Sequence, residues 1–114
     1  KAARLVTQFY DKKLRPSGIK ITQFSILSCL ASGKTMSVSE LSDELFIDRT
    51  TLTRSLDRLN KLKLIEKVKS HDARHRLVRL TEKGYETLDH AIPLWTEAEE
   101  EIFSESKKYK FAVI

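Results

Sequence analysis

The chain has 114 residues, 40% of them hydrophobic, which suits one small globular domain with a modest core. Charged residues make up 32% and the net charge is +5, which favours polyanionic partners, nucleic acid ahead of an anionic membrane surface. No apolar run approaches the length needed to span a bilayer, no signal peptide is visible, and a single cysteine excludes an internal disulfide and fits a reducing cytoplasm.

The chain begins at Lys1 rather than Met, so a segment upstream of it is expected. Ala2, Leu5, Val6, Phe9, Tyr10 and Leu14 recur at helical spacing across residues 1–14. So short a helix is marginal alone and needs a packing partner, either the core or a second subunit. Arg15-Pro16-Ser17-Gly18 breaks it, since Pro16 restrains its predecessor and Gly18 invites a turn. Thr22 is the expected N-cap of a second helix carrying Phe24, Ile26, Leu27, Leu30 and Ala31, with Gly33 as its C-terminal cap. Cys29 lies inside that helix. A buried, inert role is favoured over a redox-sensing thiol, because nothing beside it in sequence would lower its pKa.

Ser37 and Glu40 form a capping box, each side chain placed to satisfy an amide near the other. Val38, Leu41 and Leu45 make the inner stripe of a two-turn helix, Phe46 and Ile47 a turn, and Asp48 the N-cap of the next helix. A connection this brief forces a steep crossing, as in a helix-turn-helix. In the segment 48–62, Leu52, Ser55, Leu56, Leu59 and Leu62 fall on one side, and Thr50, Thr53, Arg54, Asp57, Arg58 and Lys61 on the other. One face packs and the other offers hydroxyls and guanidiniums suited to a DNA major groove. Runs at 64–69 and 76–80 then read as two strands of a hairpin around a polar, basic tip at 70–75. Thr81 caps a long helix whose Tyr85, Leu88, Ile92, Trp95 and Ile102 lie close to a heptad seam, with a bend rather than a stop expected at Pro93. Glu97, Glu99, Glu100 and Glu101 make its far end acidic, and residues 104–114 read as a short final helix or a cut end.

This order of elements resembles the MarR (multiple antibiotic resistance regulator) family of winged helix-turn-helix proteins over roughly residues 19–103. The carriers are I-T-Q-F-S-I-L at 21–27, S-E-L-S-D-E-L at 39–45, D-R-T-T-L-T-R-S-L-D-R-L at 48–59, L-I-E-K at 64–67, D-A-R at 72–74 ahead of L-V-R-L-T at 77–81, and G-Y-E at 84–86. The resemblance implies a mainly α fold (an α+β winged helix), with residues 19–81 as the DNA-binding lobe and residues 1–18 and 82–114 as dimerisation helices. It further implies a homodimer on a pseudo-palindromic operator, repression of transcription, release by a small aromatic or phenolic effector, and no cofactor. Two positions depart from the pattern: Phe46 and Lys63 stand where glycine is usual. A left-handed backbone at either would cost about 1 kcal/mol. The segment after Phe103 is also shorter than is typical, which suggests a truncated dimer lobe.

Within the helix that starts after Asp48, Arg49, Thr50, Thr51, Thr53, Arg54, Asp57, Arg58 and Lys61 are the candidate DNA contacts. Arg54 has the reach and fork for guanine O6 and N7, Thr50 and Thr53 suit thymine methyls or phosphate, and Asp57 could orient Arg54 or Arg58 or accept from a cytosine amine. Lys61, Lys63, Lys67 and Lys69 suit phosphates. In the wing the candidates are His71, Asp72, Arg74, His75 and Arg76, with Arg74 read as structural and Arg76 or His75 as nearer DNA. A metal site from His71, His75 and Asp72 lacks a fourth ligand and is disfavoured. Phe24, Leu27, Tyr85 and Trp95 are candidates for an effector pocket, although core packing is the simpler reading of them. The competing function is a winged-helix module whose basic face meets an acidic protein. No spacing suggests a catalytic nucleophile–base pair, so an enzyme is not expected.

Overall fold

The computed structural model describes residues 2–69 and 76–113, with side chains described for 4–69 and 76–105. Helix α1 (Ala2–Leu14) ends in a 3₁₀ turn, Arg15–Ser17, and Gly18 reverses the chain at φ 82°. Helix α2 (Ile21–Gly33) follows, then a two-residue strand β1 (Met36–Ser37), α3 (Val38–Leu45), α4 (Arg49–Lys61), the strands β2 (Ile65–Val68) and β3 (Leu77–Leu80), and the 32-residue α5 (Glu82–Val113). The fold is mainly α with one small sheet.

Helix α2 begins earlier than Thr22. The Ile21 amide donates to Asp11 Oδ1 at 2.8 Å and the Lys20 amide to Gln23 Oε1 at 2.9 Å, so a carboxylate ten residues upstream closes the helix start. Thr22 therefore sits inside the first turn. The far end also differs from expectation. Gly33 is the last helical residue, and Lys34 takes the positive φ of 67°. A Cβ at Gly33 would lie 2.5 Å from Met36 Sδ, so its lack of a side chain serves packing rather than a left-handed cap.

The sheet has the order β1-β3-β2, with β3 in the centre and both pairings antiparallel. The hairpin was legible, but β1 was not, because two residues show no alternation. Met36 pairs with Val78 and both are buried, which ties the start of α3 to the wing. The core gathers Leu14 from α1, Ile26, Leu27 and Leu30 from α2, Leu41 from α3, Leu52 and Leu59 from α4, and Leu88 and Ala91 from α5.

Helix α5 runs through Pro93 without stopping and continues to Val113, so there is no separate final helix. Its start lies against the sheet. Thr81 Oγ1 accepts from the Gly84 amide at 3.0 Å and donates to the Lys63 carbonyl at 2.6 Å. A Cβ at Gly84 would fall 2.1 Å from the Leu64 carbonyl oxygen, so only glycine admits this approach. The heptad expectation is corrected in part: Leu88, Ala91 and Ala98 are buried and Leu94 and Trp95 pack against the core, whereas Tyr85 and Ile92 lie on a neighbouring, exposed face. Helix α1 packs along α5, held by Tyr10 donating to Glu99 Oε1 and by Lys13 bridging Glu101 and, at 3.5 Å, Glu97.

Candidate nucleic-acid interface

Two capped helices create the site. Ser37 Oγ accepts the Glu40 amide at 3.1 Å and Glu40 Oε1 accepts the Ser37 amide at 3.0 Å, which is the capping box read from the sequence. Helix α3 ends at Phe46, whose backbone is left-handed at φ 54°. The Ser42 hydroxyl donates to the Ile47 carbonyl at 2.7 Å and fixes the turn. Asp48 then caps α4, accepting the Thr51 amide at 2.9 Å and the Thr51 hydroxyl at 2.8 Å. These two bonds from Thr51, the amide first, hold the Asp48 carboxyl below the usual carboxylate range.

Leu52, Leu56 and Leu59 are buried, so the hydrophobic stripe orients α4. Thr50, Arg54, Asp57, Arg58 and Lys61 are left exposed on the other side, and Thr53 is half-buried between the two. Arg49 and Thr51 do different work. Arg49 Nη2 donates to Ser39 Oγ at 2.7 Å, bracing α4 against α3, and Thr51 is committed to the cap. Among the described residues, Arg54, Arg58 and Asp57 form no ion pair, so Asp57 does not orient either arginine in the free chain. Lys61, Lys63, Lys67 and Lys69 are all exposed.

His71, Asp72, Arg74 and His75 lie outside the described residues. Arg76 is exposed at the start of β3, and its carbonyl accepts the Val38 amide at 3.1 Å. Arg79 is exposed but engaged, its Nε 2.7 Å from Glu66 Oε1 across the hairpin. No group of three or more His, Cys, Asp or Glu among the described residues is arranged to hold a metal ion.

The four effector-pocket candidates do not share one environment. Phe24 stacks on Trp95 with ring centroids 5.6 Å apart, joining α2 to α5. Leu27 is wholly enclosed in the core and Tyr85 is exposed. Cys29 is half-buried, its Sγ 3.8 Å from Met36 Sδ, and burial pushes its thiol pKa up, aided by the nearby charge of Glu44. The sequence reading missed Lys20 and Gln23, which border α4 beside Arg54 and Arg58. Only the tertiary fold brings them there, since they precede Arg54 by more than thirty residues.

A capped α3–α4 pair at the edge of a small sheet, with a polar and basic outward helix face, defines a winged helix-turn-helix DNA-binding protein. A profile described as MarR family matches residues 17–77, and the chain belongs to that family. It is 32% identical over 91 residues to the uncharacterized HTH-type transcriptional regulator YwoH of Bacillus subtilis, covering 77% of this chain and 66% of that protein. It is 41% identical over 86 residues to the transcriptional repressor MprA of Escherichia coli, covering 73% of this chain and 49% of that one. The chain thus spans between half and two thirds of the length of these curated relatives. Among solved structures, the Mycobacterium tuberculosis transcriptional regulator MosR in complex with DNA superposes with a TM-score of 0.84 at 35% identity, over 97% of this chain and 85% of that one. Family and fold are therefore those of winged helix-turn-helix transcriptional regulators.

Proposed function

We propose that the chain acts as a homodimeric repressor that lays α4 of each subunit into successive major grooves of a pseudo-palindromic operator. In this reading residues 19–81 form the DNA-binding lobe, and residues 1–18 and 82–114 the dimerisation helices. The observation that carries it is the outward face of α4, where Thr50, Arg54, Asp57, Arg58 and Lys61 are exposed and no apolar side chain stands among them. A surface for an acidic protein would need apolar anchors there, so duplex DNA is the better fit. The dimer reading is supported by Leu5 and Val6 on α1 and Ile92 and Phe103 on α5, large apolar side chains that a single chain leaves exposed. MprA, a named repressor, supports the sign of regulation. A cytoplasmic location belongs to the same reading, since an operator would be met there; no helix among the described residues is long and apolar enough to cross a membrane.

Release by a small aromatic effector belongs to the same proposal, with the Phe24–Trp95 stack at the junction of α2 and α5 as the place where it would register. Trp95 is the only tryptophan, so quenching of its fluorescence by phenolic compounds reports occupancy directly.

The test begins with selection of bound sequences from a random DNA pool. On a selected duplex, Arg54→Ala is expected to lose about 1–3 kcal/mol, roughly 5- to 150-fold in affinity, and to relax sequence preference. Unchanged affinity and preference refute the role of Arg54. Footprints are expected to show two half-sites about 10 bp apart. Protection of one isolated half-site by a monomer refutes the dimer.

A further inference from the structure

The basic surface does not stop at the edge of α4. On the side facing α2, Arg54, Ser55 and Arg58 form one wall of an open groove of roughly 360 Å³, and Lys20 and Gln23 form the other. Among the described residues, no acidic side chain lines it. Lys20, Arg54 and Arg58 make no ion pair among the described residues, whereas Lys13 and Arg79 are both paired with glutamates. At the start of α2, Asp11 takes the Ile21 amide. The groove offers the side chains of Lys20 and Gln23 facing those of Arg54 and Arg58. Gln23 is held by accepting the Lys20 amide through Oε1, which leaves its NH₂ group to donate.

A major groove about 12 Å wide is nearly filled by a helix with its side chains, about 10–12 Å across. A phosphate strand then runs along each flank of α4, and the flank toward α2 meets this second wall. We propose that Lys20 and Gln23, together with Arg58, hold a backbone phosphate of the strand bordering the groove that α4 occupies. Lys20 is on this view a positioning residue: it sets how α4 lies without reading a base. The inference rests on the α4 reading above and adds a second element, α2, to the footprint.

Fluorescence anisotropy on mixed-sequence and pool-selected duplexes, across a potassium chloride series, tests it with the wild type, Lys20→Ala, Lys20→Arg and Arg54→Ala. Lys20→Ala is expected to weaken both duplexes by the same factor and to make the log–log salt slope shallower by about 1.8, as loss of one phosphate contact in each of two subunits requires. That slope change makes its deficit about twelvefold larger at 50 mM than at 200 mM salt. Lys20→Arg restores the slope, and Arg54→Ala alone changes sequence preference. Replacing flanking phosphates with methylphosphonates, in symmetry-related pairs across the two half-sites, is expected to find one pair at which the wild type drops to the level of Lys20→Ala. An unchanged slope in Lys20→Ala, or no such pair, overturns the phosphate contact and leaves α4 as the reader. A wild type that binds no duplex overturns both.

Discussion

Phe46 and Lys63 flank α4 and hold left-handed backbone, with φ of 54° and 63°. An L-residue in that region costs about 1–2 kcal/mol through the clash of its Cβ with the following carbonyl. Neither position can relax. The turn at Phe46 is pinned by the Ser42 bond to the Ile47 carbonyl. At Lys63 the amide donates to Asn60 at 3.0 Å and the carbonyl accepts from Thr81. Phe46 is 94% exposed, so removing its ring forfeits little burial. Glycine relieves the strain but widens the unfolded ensemble, leaving a net gain of about 0.5–1 kcal/mol per site. The two positions stand about 20 Å apart along α4, far enough for their effects to add. With an unfolding entropy near 2.1 cal/mol/K per residue, a 114-residue chain gains about 4 °C per kcal/mol. Phe46→Gly with Lys63→Gly should therefore raise Tm by about 4–8 °C, read by circular dichroism at one fixed protein concentration, because the Tm of the proposed dimer would depend on concentration. Phe46→Ala keeps the strain and discards the ring, so it should leave Tm nearly unchanged. If Ala and Gly at 46 both lower Tm, the ring is holding something and the strain argument fails.

Gly84→Ala forces a Cβ to within 2.1 Å of the Leu64 carbonyl, which already accepts the Thr81 amide at 3.1 Å. Loss of about 2–3 kcal/mol is expected in urea unfolding, and an unchanged midpoint would mean that the start of α5 is free to slide. Tyr10 is pushed up to about 12 by burial and by its bond to Glu99. Its contribution to stability is present below about pH 10, the ordinary tyrosine value, and is lost as pH rises through the folded value. Tyrosinate absorbance should show a late step that Tyr10→Phe deletes, and a single transition near 10 for every tyrosine contradicts it. Burial, aided by Glu44, raises the Cys29 thiol, so its alkylation should be slower than that of free cysteine at neutral pH and should accelerate with a midpoint above the ordinary value. Cys29→Ser should leave DNA affinity unaltered, and a loss of binding would give the thiol a role denied here.

Local signals were legible wherever the chemistry is local. The Ser37–Glu40 box, the Asp48 cap, the leucine stripe of α4 and the Thr81 cap each involve residues within four positions, and each stands as the spacing implied. The boundaries of α2 were misread because their causes are tertiary. Asp11 reaches in from α1 at one end, and Met36 crowds Gly33 at the other. Strand β1 was missed because it exists only by pairing with β3. In the candidate site, periodicity separated the packing face of α4 from its exposed face. It could not show that Arg49 and Thr51 are spent on bracing and capping, since that depends on where Ser39 and the Asp48 oxygens lie. The α2 wall of the groove was invisible for the same reason.

A net charge of +5 is modest for a protein that grips DNA, but the total conceals how charge is placed. Glutamates at 97, 99, 100, 101 and 105 crowd the distal part of α5, where Lys13 and Tyr10 from α1 engage only some of them. Gly84 sits against the sheet, and Glu99 lies about 22 Å farther along the helix at 1.5 Å per residue. That separation is more than twice the Debye length of about 8 Å at physiological salt, so the acidic end does little to neutralise the basic one. On the proposed reading a duplex would meet attraction at α4 and, at residues 97–105 of α5, a glutamate-rich stretch that Lys107, Lys108 and Lys110 follow in sequence. The basic face would thus bias the orientation of docking before any base is read. Raising the salt weakens this selection at long range first, while contacts made at α4 and at Lys20 persist to shorter screening lengths.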